Sequence, residues 1–415
     1  MKTYTASLRA TAAARDGRHA DRGGIVDFAL SDEERAVRDT VRAFVTREVL
    51  PLEQEVLRRE RAHRPGLDRS ELRELQLRAK KFGFWGLATP EEYGGMDLPA
   101  VMQSLIWTEL GRSFVPFRFG GEADNILFHA TEEQKREFLI PTIEGERISC
   151  FAITEPGAGS DAANIKLRAR RDGDDWVLDG EKTFITNGND ADFAIVVAVT
   201  DPEKGARRGG ATAFLVDRAM GWRSEFIQTM GEGGPASLIF DGVRVPHRNI
   251  LGEIGQGFTL GMEWIGKGRY TIPSHAVGIA ERALQMAIDH ANTRETFGAP
   301  IATNQAIQWM IADSETELEA ARWLILRSAW TVDQGLDPRH ASSMGKLYGA
   351  GMVNRVVDRV LQIHGGMGYT RELPIERWYR QVRLYRIFEG TDEMQRLIIS
   401  RDLLRGYTKI GGHLA

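Results

Sequence analysis

The sequence is poor in cysteine, in concentrated charge and in long apolar runs, and each shortage removes a class of protein. Cys150 is the single cysteine, so no disulfide within the chain and no multi-cysteine metal site can form. The lone thiol reads as a small packing residue. No apolar run reaches roughly 18 residues, the length that reads as a membrane-spanning helix. Lys and Arg number 54 against 58 Asp and Glu, for a formal net charge of −4. No long basic run supplies the surface a nucleic-acid binder would need. A small phosphate-bearing ligand needs only a few local donors, so a nucleotide cofactor stays open. The GxGxxG turn of a Rossmann unit and the P-loop are both missing. His364 has no second His or carboxylate at ligand spacing, and no metal site is expected.

What is present suits a globular chain, with 42% hydrophobic and 27% charged residues. Its 415 residues exceed what one hydrophobic core usually supports, so two or three domains are expected. Residues 1–26 are rich in Ala, Arg and Gly without apolar periodicity and read as a disordered extension. Asp16 and Asp21 argue against a transit peptide. A cytoplasmic location is therefore expected, or the mitochondrial matrix if the extension is a transit peptide after all.

From residue 27 to 149 the pattern is helical. Ser31 and Glu34 form a capping box, and Val37, Val41, Phe44 and Val45 recur on one face. From 150 to 257 short β-rich runs appear, at 175–180, 192–200, 211–218 and 237–246, separated by Gly, Asp, Asn and Pro. They suggest a small antiparallel, barrel-like sheet domain. After 256-QGFTLGMEWIGKGRYTIP-273 helices return and are longer. The region 258–415 reads as a four-helix bundle.

Five stretches could carry chemistry. In 151-FAITEPGAGSDAANIKL-167, Gly157 and Gly159 would let backbone approach a ligand, and Ser160 adds a donor. In 181-EKTFITNG-188, Phe184 and Thr186 alternate on one strand face, placed to flank a planar ring and donate to it. In 294-RETFGAP-300, Arg294 is a fixed cation suited to phosphate. The cluster 362-QIHGGMGYT-370 has three glycines where helix termination alone needs one. Finally, 386-RIFEGTDEMQ-395 presents Glu389 beside Gly390. Taken singly, each also reads as an ordinary turn, strand or solvated charge.

Together, in this order, the motifs 154-TEPGAGSD-161, 186-TNG-188, 294-RETFG-298, 365-GGMGY-369 and 389-EGTDEMQR-396 resemble the acyl-CoA dehydrogenase family, over about residues 27–408. The resemblance implies a fold of helical domain, middle β domain and four-helix bundle, which agrees with the texture above. It implies FAD between the β domain and the bundle. Phe151, Ile153, Thr154, Gly159 and Ser160 would line the flavin and its pyrophosphate. Phe184, where many relatives carry Trp, would pack by the ring, and Thr186 would donate to its N5 edge. Arg294, Thr296, Phe297, Gln305, Gln362, Gly365 and Gly366 would reach the FAD of a neighbouring subunit, which implies a homodimer or homotetramer. Thr391 and Glu393 would add cofactor contacts.

Glu389 matches the family's catalytic base. It would take the α-proton of an acyl-CoA thioester while the β-hydrogen leaves as hydride to flavin N5. Burial would raise its pKa toward the working pH. The Glu389 backbone N–H and the FAD ribityl chain would stabilise the enolate, and Gly390 would turn the chain close to the thioester. Relatives with the base elsewhere place it just before the residue seen here as Arg269, where this chain has Gly268. Ser160 and Arg269 would touch the substrate or organise the loop beneath it. The segment 114-FVPFRFGGEADNILFHA-130 would line the acyl pocket. Electrons would pass to electron-transfer flavoprotein. A flavin-dependent monooxygenase or an acyl-CoA oxidase on the same fold is the alternative, with a non-catalytic CoA-binding protein further off. The monooxygenase needs no carboxylate base, and Glu389 speaks against it.

Overall fold

The computed structural model describes residues 29–410; the extension expected over 1–26 lies outside them. Helix α1 (Asp32–Phe44) starts at the expected capping box, with the Ser31 backbone N–H donating to Glu34 at 2.7 Å and the Glu34 N–H to Ser31 Oγ at 3.2 Å. Its buried face is Val37, Val41 and Phe44. α2 (Glu53–Arg61), α3 (Arg69–Lys81) and α4 (Ala100–Gly111) follow. A second capping box, Asp68 with Glu71, opens α3. The segment 132–143 is a helix broken by a π-turn at Lys135–Leu139.

The middle domain holds β1 (Ser149–Ala152), β2 (Arg168–Asp172), β3 (Asp175–Ile185), β4 (Phe193–Val199), β5 (Ala211–Asp217), β6 (Arg223–Phe226), β7 (Ala236–Pro246) and β8 (Ile250–Leu251). The order is β6-β7-β3-β2-β4-β5-β8, with β1 also beside β4. The sheet is mixed rather than purely antiparallel. β1 runs parallel to β4, with Ser149 opposite Phe193, and β2 meets β4 in parallel at Arg168 and Val199. β5 pairs with β4 along its whole length, so β1 and β2 share the other edge of β4, one beside residues 193–196 and the other at Val199. β4 is covered on both faces. Ala194, Val196 and Ala198 join a core with Trp176, Leu178 and Val245. Phe193, Ile195 and Val197 join another with Phe138, Leu139 and Leu260.

The bundle is α5 (Gly257–Thr293), α6 (Gln305–Asp333), α7 (Arg339–His364) and α9 (Asp392–Leu404), with α8 (Ile375–Val382) between the last two. A two-strand hairpin, β9 (Glu295–Thr296) and β10 (Ala299–Pro300), joins α5 to α6. The segment 257–273, expected to precede the returning helices, is itself the first part of α5, which carries Pro273 inside it. Packing decides here over the weak helix propensity of Gly and Pro. A Cβ at Gly257 would overlap the β5 backbone, and one at Gly261 would sit 3.0 Å from Ile153 Cδ1. Helices α4 and α5 cross just as closely, where a Cβ at Gly111 or Gly278 would overlap the other helix's backbone. The helices of 32–111 and the bundle share one core, in which Val41, Phe44 and Ile106 are joined to Ala280, Ala283, Val353 and Val356.

Candidate active site

Glu389 sits between a 3-10 turn, Arg383–Arg386, and α9. Its φ is +54°, and that of Gly390 is +88°. A non-glycine residue there costs about 1–2 kcal/mol, so something must hold it. Gln395 Nε2 donates to the Glu389 carbonyl at 3.2 Å and to the Gly390 carbonyl at 3.0 Å, and Lys346 Nζ donates to the Gly390 carbonyl at 2.7 Å. Thr391 closes the turn as the N-cap of α9, accepting from the Met394 N–H at 3.3 Å.

The turn aims the Glu389 carboxylate inward. Oε2 is sealed from solvent with no hydrogen-bond partner, and so is Arg269 Nε on α5. Burial pushes the Glu389 carboxyl up to about 7, against the pull of Arg269 and Lys346. Burial also lowers the Arg269 guanidinium, opposed by Glu389, and brings the fully buried Lys346 ammonium down to about 8. Phe388 packs on Tyr385, ring centroids 5.5 Å apart, and the Tyr385 hydroxyl lies 2.8 Å from His275 Nδ1. The result is a carboxyl group with a pKa near neutrality and one free oxygen, beside cations that favour its charged form.

The glycine turn lies over the sheet. Its anchor is Glu155, buried and paired with the fully buried Lys182 at 2.7 Å, and accepting from the Lys166 and Leu167 N–H groups at 2.6 and 2.9 Å. Lys182 also donates to the Ile153 carbonyl at 3.0 Å. The turn beyond it is open, since no atom lies within 4 Å of where a Cβ on Gly157 or Gly159 would stand. Ser160 is exposed and Thr154 half-buried. The Phe151 and Ile153 side chains are taken up by α5: Phe151 stacks on Trp264 with centroids 4.3 Å apart, and Ile153 lies under Gly261. Phe184 and Thr186 are both exposed, but not by simple alternation along a strand. β3 ends at Ile185, its register with β7 shifts after Lys182, and Phe184 has φ +57°. This bulge turns the phenyl ring outward.

The remaining candidates gather at the other end of the bundle. Phe297 is fully exposed at the tip of the β9–β10 hairpin, with φ +53°. Arg294, Gln305, Gln362, Gly365 and Gly366 are exposed, and Thr296 is half-buried. Arg294 has no side-chain hydrogen bond or ion pair among the described residues. The stacked rings of His290 and His364, 4.4 Å apart, tie the hairpin to the glycine cluster. The three glycines differ in use. Gly365 ends α7 with φ +58°, Gly366 faces open space, and Gly368 packs against the Leu361 carbonyl. Helix α5 has 37 residues, about 55 Å at the usual rise. Phe151 and Ile153 meet it near one end and Arg294 follows the other.

Some pieces escaped the sequence reading. Lys346 is the main one; its signal is a lysine on a helix face otherwise made of Ser342, Ser343, Gly349 and Ala350, all buried. Gln395 and the Glu155–Lys182 pair were also missed. Among the 114–130 segment's acids, Glu122 accepts from the Ala88 N–H at 2.9 Å, and Asp124 accepts from Trp264 Nε1 at 2.6 Å and Ser149 Oγ at 2.5 Å. The Lys267 side chain and the exposure of Gly268 lie outside what the structure describes. Cys150 is buried with its thiol pushed up to about 12, a packing residue. Among the described residues no cluster of His, Cys, Asp and Glu could hold a metal, and no helix is long and apolar enough to cross a membrane.

Comparison with known proteins finds relatives that span most of the chain. Three family models match in sequence: the acyl-CoA dehydrogenase N-terminal domain over residues 31–146, the middle domain over 150–243 and the C-terminal domain over 255–404. The mitochondrial short-chain specific acyl-CoA dehydrogenase of Bos taurus is 35% identical over 390 residues, covering 91% of this chain and 92% of that protein. The 3-(aryl)acrylate reductase of Clostridium sporogenes is 37% identical over 386 residues, covering 91% and 100%. The structure of butyryl-CoA dehydrogenase from Megasphaera elsdenii matches with a TM-score of 0.81 at 31% identity, covering 92% of this chain and 100% of that one. The chain belongs to the acyl-CoA dehydrogenase family, whose members are FAD-dependent enzymes.

Proposed function

We propose that this chain converts an acyl-CoA thioester to its trans-2-enoyl-CoA, with Glu389 as the base that takes the α-proton. The observation that carries the reading is the Glu389 carboxyl itself: pKa about 7, a sealed Oε2 without a partner, and Arg269 alongside. A base works best with its pKa near the operating pH. Arg269 and Lys346 favour the carboxylate before the proton moves. The left-handed turn at Glu389 and Gly390 fixes the direction of approach, because both of its carbonyls are already engaged by Lys346 and Gln395.

The open glycine turn fits a phosphate-bearing cofactor, with the N–H groups of Gly157 to Ser160 and the Ser160 hydroxyl available to cradle it. Thr186 and Phe184 stand exposed at the end of β3 to meet its ring system. A bound FAD supplies the two-electron acceptor, receiving the β-hydrogen as hydride as the carbon–carbon double bond forms. Residues at both ends of α5 cannot serve one FAD within a chain, so Arg294, Phe297, Gln362 and their neighbours serve a second copy's cofactor, in a homodimer or homotetramer. Electron-transfer flavoprotein is the acceptor that reoxidises the enzyme.

The test is to mix the purified yellow protein with acyl-CoA thioesters under argon. Bleaching of the flavin absorbance, with slow recovery in air, is expected. Rapid recovery in air would point instead to an oxidase. A colourless protein that cannot be reconstituted with FAD would refute the proposal.

A further inference from the structure

The stretch 114–125 carries three charged side chains, and only two are occupied by the protein. Glu122 and Asp124 are held by Ala88, Trp264 and Ser149, as above. Arg118 has no side-chain hydrogen bond or ion pair among the described residues. It is held in place from behind. Phe117 and Phe119 turn into the core, each within 6 Å of the Phe44 ring, and leave Arg118 on the opposite side. Gln76 Nε2 donates to the Arg118 carbonyl at 3.2 Å. Gly120 and Gly121 press against Trp85 and Gly86 so closely that a Cβ on either would collide. The backbone is therefore fixed, and the guanidinium is not placed by chance of a loose loop.

The Arg118 side chain is open to solvent, yet enough protein stands around it that desolvation lowers its pKa, with Asp124 pulling the other way. Asp124 bonds Trp264 on α5, and Glu122 acts electrostatically on Tyr270. The loop thus meets α5 at Trp264, between one and two turns before Arg269, which acts on Glu389. A guanidinium on a fixed backbone, with no partner in its own chain, is placed to pair with an arriving anion.

Resting on the dehydrogenase reading above, we propose that Arg118 is a specificity-determining residue that recognises a carboxylate on the acyl group, and that the substrates are thioesters of dicarboxylic acids. The thioester end meets Glu389, and the free carboxylate end meets Arg118. Phosphate groups of the CoA moiety are the other anions that could reach a lone arginine, and the experiment separates the two.

Matched pairs of equal length serve as probes: adipoyl-CoA against hexanoyl-CoA, and suberoyl-CoA against octanoyl-CoA. The holoenzyme should reduce its flavin with a higher kcat/KM for at least one dicarboxylic member than for its partner. Arg118→Met should lose about 10- to 100-fold on that substrate, the scale of a charge-assisted hydrogen bond, and lose nothing on the neutral partner. Arg118→Lys should keep most of the preference. Preference of the parent enzyme for the neutral member of both pairs overturns the proposal without needing any variant. An equal loss on both members also overturns it, because that would place Arg118 on the CoA moiety or in the scaffold. If hexanoyl-CoA and octanoyl-CoA bleach the flavin and their partners do not, dehydrogenation stands and Arg118 recognition falls. If no acyl-CoA bleaches it, both fall.

Discussion

Two dipeptides in this chain share a backbone shape and use it in opposite ways. Phe297-Gly298 has φ +53° and +83°, and Glu389-Gly390 has +54° and +88°. The first is the two-residue turn of a hairpin, where positive φ at both positions matches the twist of the strands. Its own β9 and β10 hold it, and its ring projects fully into solvent. The second belongs to no hairpin. Side chains from α7 and α9 hold it, and its carboxylate points into protein. The backbone alone does not say what a strained pair is for. That depends on what holds it and on what it faces. Here the pair held by remote side chains presents its carboxylate to the interior of the protein, and the pair held by its own strands presents its ring to solvent.

The contrast can be broken most sharply at the carboxylate. Glu389→Gln should retain FAD and lose roughly 10²–10⁴-fold in anaerobic flavin reduction, the scale of a positioned base. Phe297→Ala should leave the reduction rate per bound flavin unchanged. Parent-like reduction by the Gln variant in stopped flow would remove the distinction. At the hairpin end, Arg294→Ala should lower FAD content and oligomer size together. An unpaired buried phosphate charge costs on the order of 2–5 kcal/mol. Full flavin occupancy at unchanged size in size-exclusion chromatography would assign that end to some other partner.

Lys346→Met sharpens the comparison by removing one of the groups that hold the second pair. With the carboxyl pKa at about 7, flavin reduction in the parent should rise about tenfold from about pH 6 to about pH 8 as the base form fills. Lys346 lowers that pKa, so its loss should displace the rise to higher pH, and Lys346→Arg should restore it. A midpoint that stays in place would reduce Lys346 to packing. The smallest effects come from the glycines. Gly298→Ala meets no neighbour, so it should cost only the strain of about 1 kcal/mol in thermal melts. Gly390→Ala should cost more, because the added Cβ would stand 2.7 Å from Gln395 Nε2. Equal costs would show that Gln395 yields.

Features encoded locally were legible in the sequence. The Ser31 and Glu34 cap, the face through Val37, Val41 and Phe44, and the strand runs at 192–200 and 211–218 are set by neighbours in the chain. The motifs carrying Glu389 and Arg294 could be read because they are short and contiguous. What could not be read depends on distant contacts. Gly257, Gly261 and Pro273 look like a loop until β5 and Ile153 are seen to require small residues there. The parallel pairing of β1 with β4 joins segments some forty residues apart. The outward turn of Phe184 comes from a register shift against β7, and Lys346 gains its meaning only from a carbonyl 44 positions away in the chain.

The core shared by the first helices and the bundle bears on how the chain is made. Synthesis delivers Val41, Phe44 and Ile106 long before the partners Val353 and Val356 exist. The sheet has a core of its own drawn from residues 150–250 and can settle as soon as it emerges, whereas the helices of 32–111 must wait until Val353 and Val356 have been made. Stalled chains ending near residue 256 should therefore bind a hydrophobic dye more strongly than chains released past residue 404, and equal binding would mean that the early helices close on their own. On the ribosome residues 32–111 emerge before the sheet and are finished after it, and for that interval their apolar face is what a chaperone would hold.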